Sequence, residues 1–195
     1  MLLPQLNQQA LKEWSIAVDA LRTGETIMLL RKGGIRERGF KVKHLSFWLY
    51  PTYEHQNPAL LKPKYSELVV PVKSGWHPSK VEIAICAKIT HTLLLNNQNQ
   101  IKKLLPYQIW NDRMIAERLK WKPAEPIVIL LLRVYCLPNP LVIDYIPAYG
   151  GCKSWINIDV PDGVLNSAKS LLTPAVEESK YARLTQEIEK IVKTE

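Results

Sequence analysis

Arg31, Lys32, Arg36, Arg38, Lys41 and Lys43 crowd into one short stretch in which Glu37 is the sole acid. A few residues on come Trp48, Tyr50 and Tyr53, and directly after them Glu54, His55 and Gln56. Cations of this kind hold phosphates, and flat aromatic faces stack on unpaired bases. Arg31, Lys32, Arg36, Arg38, Trp48, Tyr53 and Gln56 are therefore the candidate nucleic-acid-binding residues, with Glu54 and Gln56 able to read base edges. The competing reading makes Trp48 and Tyr50 core residues of a strand and the charges a solvated turn. Sequence alone leaves both open.

The same stretch admits an enzyme. Glu54 and His55 form an acid/base pair by residue type. Lys153, in "GGCKSW", is a cation suited to supporting an anion. Glu54, His55 and Lys153 are thus the catalytic candidates for a metal-dependent nuclease or other hydrolase.

Other chemistries fit less well. "RKGGIRERG" lacks the G-x-x-x-x-G-K-[ST] phosphate loop and the G-x-G-x-x-G fingerprint. His44, His55, His77 and His91 show no C-x-x-C or H-x-x-x-H spacing, so no metal site is assigned and no cofactor is expected. Cys152 sits beside a glycine pair, but nothing in the sequence supplies the base that an activated thiolate needs. The one E-x-K, at Glu178 to Lys180, falls in a predicted helix, whereas a two-carboxylate nuclease wants it on a strand.

Elements must carry these groups. Leu11, Trp14, Val18 and Leu21 recur at helical spacing and predict a first helix, which Gly24 ends. Thr26 to Arg31 reads as a buried strand, with Gly33 or Gly34 expected at positive φ in the turn beyond it. Leu45 to Tyr50 reads as a second strand, and Thr52 to Leu61 as holding a short helix. The proline-rich stretch from Lys62 to Ser79 reads as a loop with at most an edge strand. Lys80 to Leu95 alternates as one long strand, "NNQNQ" (Asn96 to Gln100) reads as a turn, and Leu104 to Lys120 as a helix. Ile127 to Tyr135 is apolar at consecutive positions, which requires burial on both faces. The segment from Cys136 to Pro147 reads as a turn and an edge strand, and Cys152 to Ile158 as the last strand. Val164 to Leu172 reads as a short helix. Thr173-Pro174 has the form of a helix start, and Tyr181, Leu184, Ile188 and Ile191 form the apolar stripe of a final helix. Trp14, Leu21, Ile129, Leu131 and Val134 are the expected core.

Composition bounds the rest. The 195 residues are 47% hydrophobic and 23% charged, as in an ordinary globular chain. Net charge is +8 and the isoelectric point is near 9.4, compatible with RNA or single-stranded DNA as partner. No apolar run approaches the roughly 20 residues of a membrane span, so no membrane association is expected. Three widely spaced cysteines, Cys86, Cys136 and Cys152, suggest reduced thiols and a cytoplasmic setting. Oligomeric state is not legible.

"LKEW" (Leu11 to Trp14), "LLRKGGI" (Leu29 to Ile35), "FWLYPTYEHQ" (Phe47 to Gln56), "LLRVYCLPNP" (Leu131 to Pro140) and "GGCKSW" (Gly150 to Trp155) resemble a bacterial family of uncharacterised proteins, domain of unknown function 1802. The resemblance implies no biochemistry of its own. More distantly, the chain resembles the ASCH branch of the PUA-like barrels. Gly24 and Arg31 match the ends of that branch's G-x-K-x-x-E-x-R segment, while Thr26 and Leu29 replace its lysine and glutamate. The implied fold is α+β: a small, strongly bent β-barrel of about five to seven strands with flanking helices and a C-terminal helix. Residues 1–160 are expected to form the barrel-like domain, and 161–195 a helical extension packed on it. The expected function is a nucleic-acid-binding module, with the hydrolase as the alternative. A protein–protein adaptor using the C-terminal helix is a third reading.

Overall fold

Two long strands set the architecture. In the computed structural model, which describes residues 4–33, 39–161, 163–164 and 171–193, β4 (Lys80–Leu95) and β5 (Ile127–Asp144) pair antiparallel along most of their lengths. Their register shifts between Ile83 and Ile85 and again between Ile89 and His91. Irregularities of this kind bend strands and add twist, and here the sheet curls into a half-barrel. The remaining strands are β1 (Gln9–Trp14), β2 (Met28–Arg31), β3 (Ser46–Thr52), β6 (Trp155–Asn157) and β7 (Thr173–Pro174). Their order is β2-β5-β4-β3-β1-β6, with β7 pairing β5 beyond the end of β2. Among the described residues only the β1–β3 pair is parallel. The expected strongly bent sheet with flanking helices and a C-terminal helix is thus observed.

Ile127 to Tyr135 is buried throughout, with side chains of both orientations packed into two clusters of buried residues. The larger cluster joins Leu29, Leu131, Phe47 and Ile85 to residues of α1 (Ser15–Arg22), α3 (Gln98–Lys103), α4 (Asp112–Lys120) and α5 (Glu178–Lys193). The other gathers Trp48, Tyr50, Ile83, Tyr135 and Ile156. Tyr181 and Ile188 bring α5 into the first core. Buried Arg133 on β5 fastens that helix: it donates to the Val176 carbonyl, pairs with Glu178 at 3.0 Å and lies over the Tyr181 ring.

Several sequence expectations are corrected. The predicted first helix is a strand followed by a helix: Leu11 and Trp14 belong to β1, and only Val18 and Leu21 to α1. Trp14 is partly buried, edge-on to Trp110 at 5.1 Å, whereas Leu21, Ile129, Leu131 and Val134 are buried as expected. Leu104 to Lys120 is not one helix, because a 3₁₀ turn at Leu105–Tyr107 gives way to extended Gln108 and Asn111 caps a fresh start at α4. "NNQNQ" is no simple turn: Asn97 accepts from the amides of Asn99 and Gln100 and opens α3. A short α2 (Pro63–Ser66) replaces part of the proline-rich loop. β5 runs on through Pro138 and Pro140, which lie where pairing with β4 skips a stretch, so their missing N–H groups cost no ladder bond. Thr173-Pro174 is β7 rather than a helix start. Gly33 has the expected positive φ, +80°. Gly34 and most of Val164 to Leu172 lie outside the described residues, and the strands either side of Gly33 are not neighbours in the sheet.

Candidate functional site

Because β1 and β3 are parallel, their C-terminal ends emerge side by side, with Trp14 opposite Thr52. The Thr52 hydroxyl donates to the Glu13 carbonyl at 3.0 Å. β6 runs the other way, so the Gly151–Ser154 loop that feeds it arrives at the same end, where the Lys12 amide donates to the Ser154 carbonyl at 2.9 Å. The curl of the sheet delivers the end of β2 there too. Arg31 Nη1 lies 2.6 Å from Glu13 Oε2 and also donates to the Lys12 carbonyl at 3.3 Å. Phe40 fills the seam alongside, beneath the Arg31 guanidinium and stacked on Trp155.

These ends surround a cleft of about 310 Å³. Among the described residues its walls carry five basic side chains, Lys12, Arg31, Lys32, Arg118 and Lys153, and two carboxylates, Glu13 and Glu54. Thr52, His55, Cys152 and Ser154 complete the described polar lining. Arg31 engages Glu13, so the positive charge is in excess.

Burial acts on several of these groups. Lys32 is only 2% exposed, and its ammonium reaches the Leu119 carbonyl at 3.4 Å. Burial, with Arg118 nearby, pulls its pKa down. Lys12 is half-buried and donates to the carbonyls of Tyr149 and Gly151 at 2.7 and 2.8 Å. Its pKa is also lowered by burial, against the opposing pull of Cys152 and Glu54. Arg118 is lowered for the same reason, with Arg31 adding to the effect and Glu13 working against it. An anion entering the cleft would relieve all three, since desolvated like charges gain most from a counter-charge.

Arg31, Glu54, His55 and Lys153, drawn from three separate parts of the sequence, line this one cleft. Glu54 is partly committed: its Oε1 accepts from the Gly75 amide and lies 4.0 Å from His55 Nε2. His55 is exposed and holds φ of +60°, in the left-handed region that residues other than glycine adopt uncommonly.

The other candidates fall elsewhere. Trp48 is fully buried, with its indole N–H donating to the Asn7 carbonyl at 2.7 Å, so its ring is not open to a base. Gln56 spends its side-chain oxygen on Ser15 and the Ile16 amide, and so caps α1 rather than facing a ligand. Tyr53 is half-buried, edge-on to Trp76 at 5.7 Å. Arg36 and Arg38 lie outside the described residues. Of the two positions that depart from the ASCH pattern, Thr26 is buried and donates to the Tyr107 carbonyl at 2.8 Å, while Leu29 sits in the core.

Sequence reasoning missed Lys12, Glu13 and Arg118. The available signal was a lysine and a glutamate inside the "QALKEW" segment, legible only once that segment is taken as a strand. Among the described residues no three of His, Cys, Asp or Glu gather as a metal site, and no helix is long and apolar enough to cross a membrane. Burial pushes the Cys86 thiol up to about 12, which makes it a packing residue.

Comparison with known proteins adds a family. A family described as a domain of unknown function (DUF1802) matches residues 10–187, and the chain belongs to it. No curated protein matches the chain. Among solved structures, a serine-to-alanine variant of the ASCH protein of Zymomonas mobilis is similar at 12% identity, covering 88% of this chain and 100% of that one, with a TM-score of 0.48. The unsubstituted ASCH protein of the same organism is similar at 12% identity, with 87% and 96% covered and a TM-score of 0.47.

Proposed function

We propose that this protein binds single-stranded nucleic acid, RNA foremost, through its phosphates. The observation that carries the reading is the convergence of Lys12, Arg31, Lys32, Arg118 and Lys153 on one cleft where, among the described residues, only Glu13 and Glu54 oppose them. A cleft of about 310 Å³ is at the lower end of the range for small-ligand sites, enough for a short stretch of backbone. Arg36 and Arg38 follow Gly33 closely in the chain and belong to the proposed set. Three free cysteines suit a reducing compartment, in keeping with a cytoplasmic location.

Fluorescence anisotropy with a labelled single-stranded RNA at two salt concentrations tests the reading. Affinity should fall steeply as salt rises, through counterion release. Absence of binding at about tens of micromolar protein in low salt would remove it, since even non-specific binding reaches that range.

A second reading, phosphodiester hydrolysis, is favoured by one observation: Glu54 and His55 share the cleft with the cations. An exposed imidazole there could transfer a proton to a leaving oxygen. Incubating end-labelled RNA with the protein, with and without a divalent cation, separates the two. Turnover that disappears in His55→Ala supports an enzyme, and binding without turnover supports the module.

A further inference from the structure

A second, smaller pocket adjoins the basic cleft, and Lys12, Thr52 and Glu54 line both. Its walls are mainly aromatic: Tyr50, Tyr53, Trp76, His77, Tyr145 and Tyr149. Trp76 meets Tyr53 edge-on at 5.7 Å, and His77 stacks on Tyr145 at 3.3 Å with their planes 15° apart. Tyr149 is buried, and its carbonyl holds Lys12 at 2.7 Å, so the aromatic wall and the basic cleft share a hydrogen bond. Trp76 is 44% exposed, which leaves indole surface uncovered at the mouth. The segment that carries it is anchored by the bond from the Gly75 amide to Glu54.

We infer that this pocket is a base-stacking subsite: the base belonging to the phosphate held in the basic cleft packs against Trp76 and Tyr53. The inference rests on the proposed binding of nucleic acid and adds where the base goes. An aromatic surface beside a cationic groove is the pairing that single strands require, because every base has a flat face and every phosphate a charge. The enclosed space is about 40 Å³, too small for a whole nucleoside, so the ring stacks across the mouth and only its edge enters. Selection by shape is correspondingly weak, and pyrimidines and purines should both be accepted. In this arrangement Glu54 is a positioning residue, because it fixes the Trp76 segment next to the phosphate-binding groups.

The test compares a labelled oligouridylate with an abasic ribose-phosphate chain of the same length, both by anisotropy. The unaltered protein should bind the abasic chain roughly tenfold more weakly, the order expected for losing one base–aromatic stack. Trp76→Ala should weaken the oligouridylate by a similar factor and leave the abasic chain unchanged, and Trp76→Phe should restore most of the loss. Equal affinity for the two chains, or equal weakening of both by Trp76→Ala, overturns the subsite and leaves the phosphate-binding cleft standing. Failure of both chains to bind overturns the two readings together.

Discussion

The Arg31 guanidinium and the Glu13 carboxylate meet at 2.6 Å although β2 and β1 are not neighbours in the sheet. β2 is one edge of the sheet, and β1 lies next to the other. The pair therefore closes the curl from side to side, at the point where the basic cleft opens. Both side chains are largely buried, at 16% and 8% exposure, so neither could be left alone without cost.

The first prediction concerns that pair. Glu13→Gln leaves Arg31 and Arg118 facing each other without the intervening negative charge. Breaking a buried ion pair from one side typically costs about 3 kcal/mol or more. Urea denaturation should show a loss of that order. A loss under about 0.5 kcal/mol, the level of a surface substitution, would mean that the seam is held by Phe40 and Trp155 instead.

The central strand gives a second. Leu131 is fully buried between β2 and β4, paired with Met28 on one side and His91 on the other. Leu131→Ala should cost roughly 2–5 kcal/mol, since the packed neighbours cannot collapse fully into the space. Chemical denaturation of the variant checks it directly.

Leu131 also shows why the fold was partly legible. Ile127 to Tyr135 has no polar alternation, and only a strand buried on both faces tolerates that composition. Lys80 to Leu95 alternated cleanly enough to be read end to end. β1 was not legible, because Leu11 and Trp14 precede Val18 and Leu21 at spacings that mimic one helix. A strand running straight into a helix gives that pattern by accident. The same ambiguity hides part of the site: Arg31, Glu54, His55 and Lys153 stand out by residue type, but Lys12 and Glu13 lie in a segment whose spacing mimics a helix. Trp48 and Gln56 failed for a different reason. Aromatic and amide side chains serve cores and caps as readily as ligands, and only their observed partners tell these uses apart.

A third prediction follows from the burial of Lys32. Its folded-state pKa is lowered from the ordinary 10.5 by desolvation, with Arg118 adding to the effect. Between that lowered value and 10.5 the unfolded chain binds more protons, so this group makes stability rise with pH through the window. Below the window the cost of the buried charge is complete. Lys32→Met should therefore stabilise the fold at neutral pH by on the order of 1 kcal/mol, with the gain shrinking as pH climbs towards 10.5. The same variant should bind RNA more weakly. Denaturation midpoints across pH, set beside anisotropy, read both signs, and a destabilised Lys32→Met at neutral pH would contradict the argument.

His55 yields a fourth. Its φ of +60° suits glycine or asparagine better than histidine. His55→Asn and His55→Gly should be neutral or stabilising by up to about 1 kcal/mol, while His55→Val should cost roughly 1–2 kcal/mol, because a β-branched side chain is strained there. If the strain is retained for function, the stable variants are the ones in which any RNA turnover fails. Thermal unfolding of the three variants, ranked together, decides whether the backbone or the side chain dictates this position.

The last prediction separates charge from structure at the cleft. Lys153 is exposed on the loop before β6, and its truncation removes no core contact. Lys153→Ala should leave the melting temperature within a degree or so, as expected for a surface position with an effect under about 0.5 kcal/mol. If Lys153 neutralises a phosphate, the slope of log affinity against log salt should flatten by about 0.7, the value for one released counterion on a single strand. The weakening should be uniform across base sequences, because a phosphate contact carries no sequence information. Trp76→Ala should do the reverse: it should lower affinity without changing the salt slope, since a stacked base releases no counterion. An unchanged slope in Lys153→Ala, with binding otherwise intact, would move the phosphate path away from the β6 side of the cleft and towards Arg31, Lys32 and Arg118.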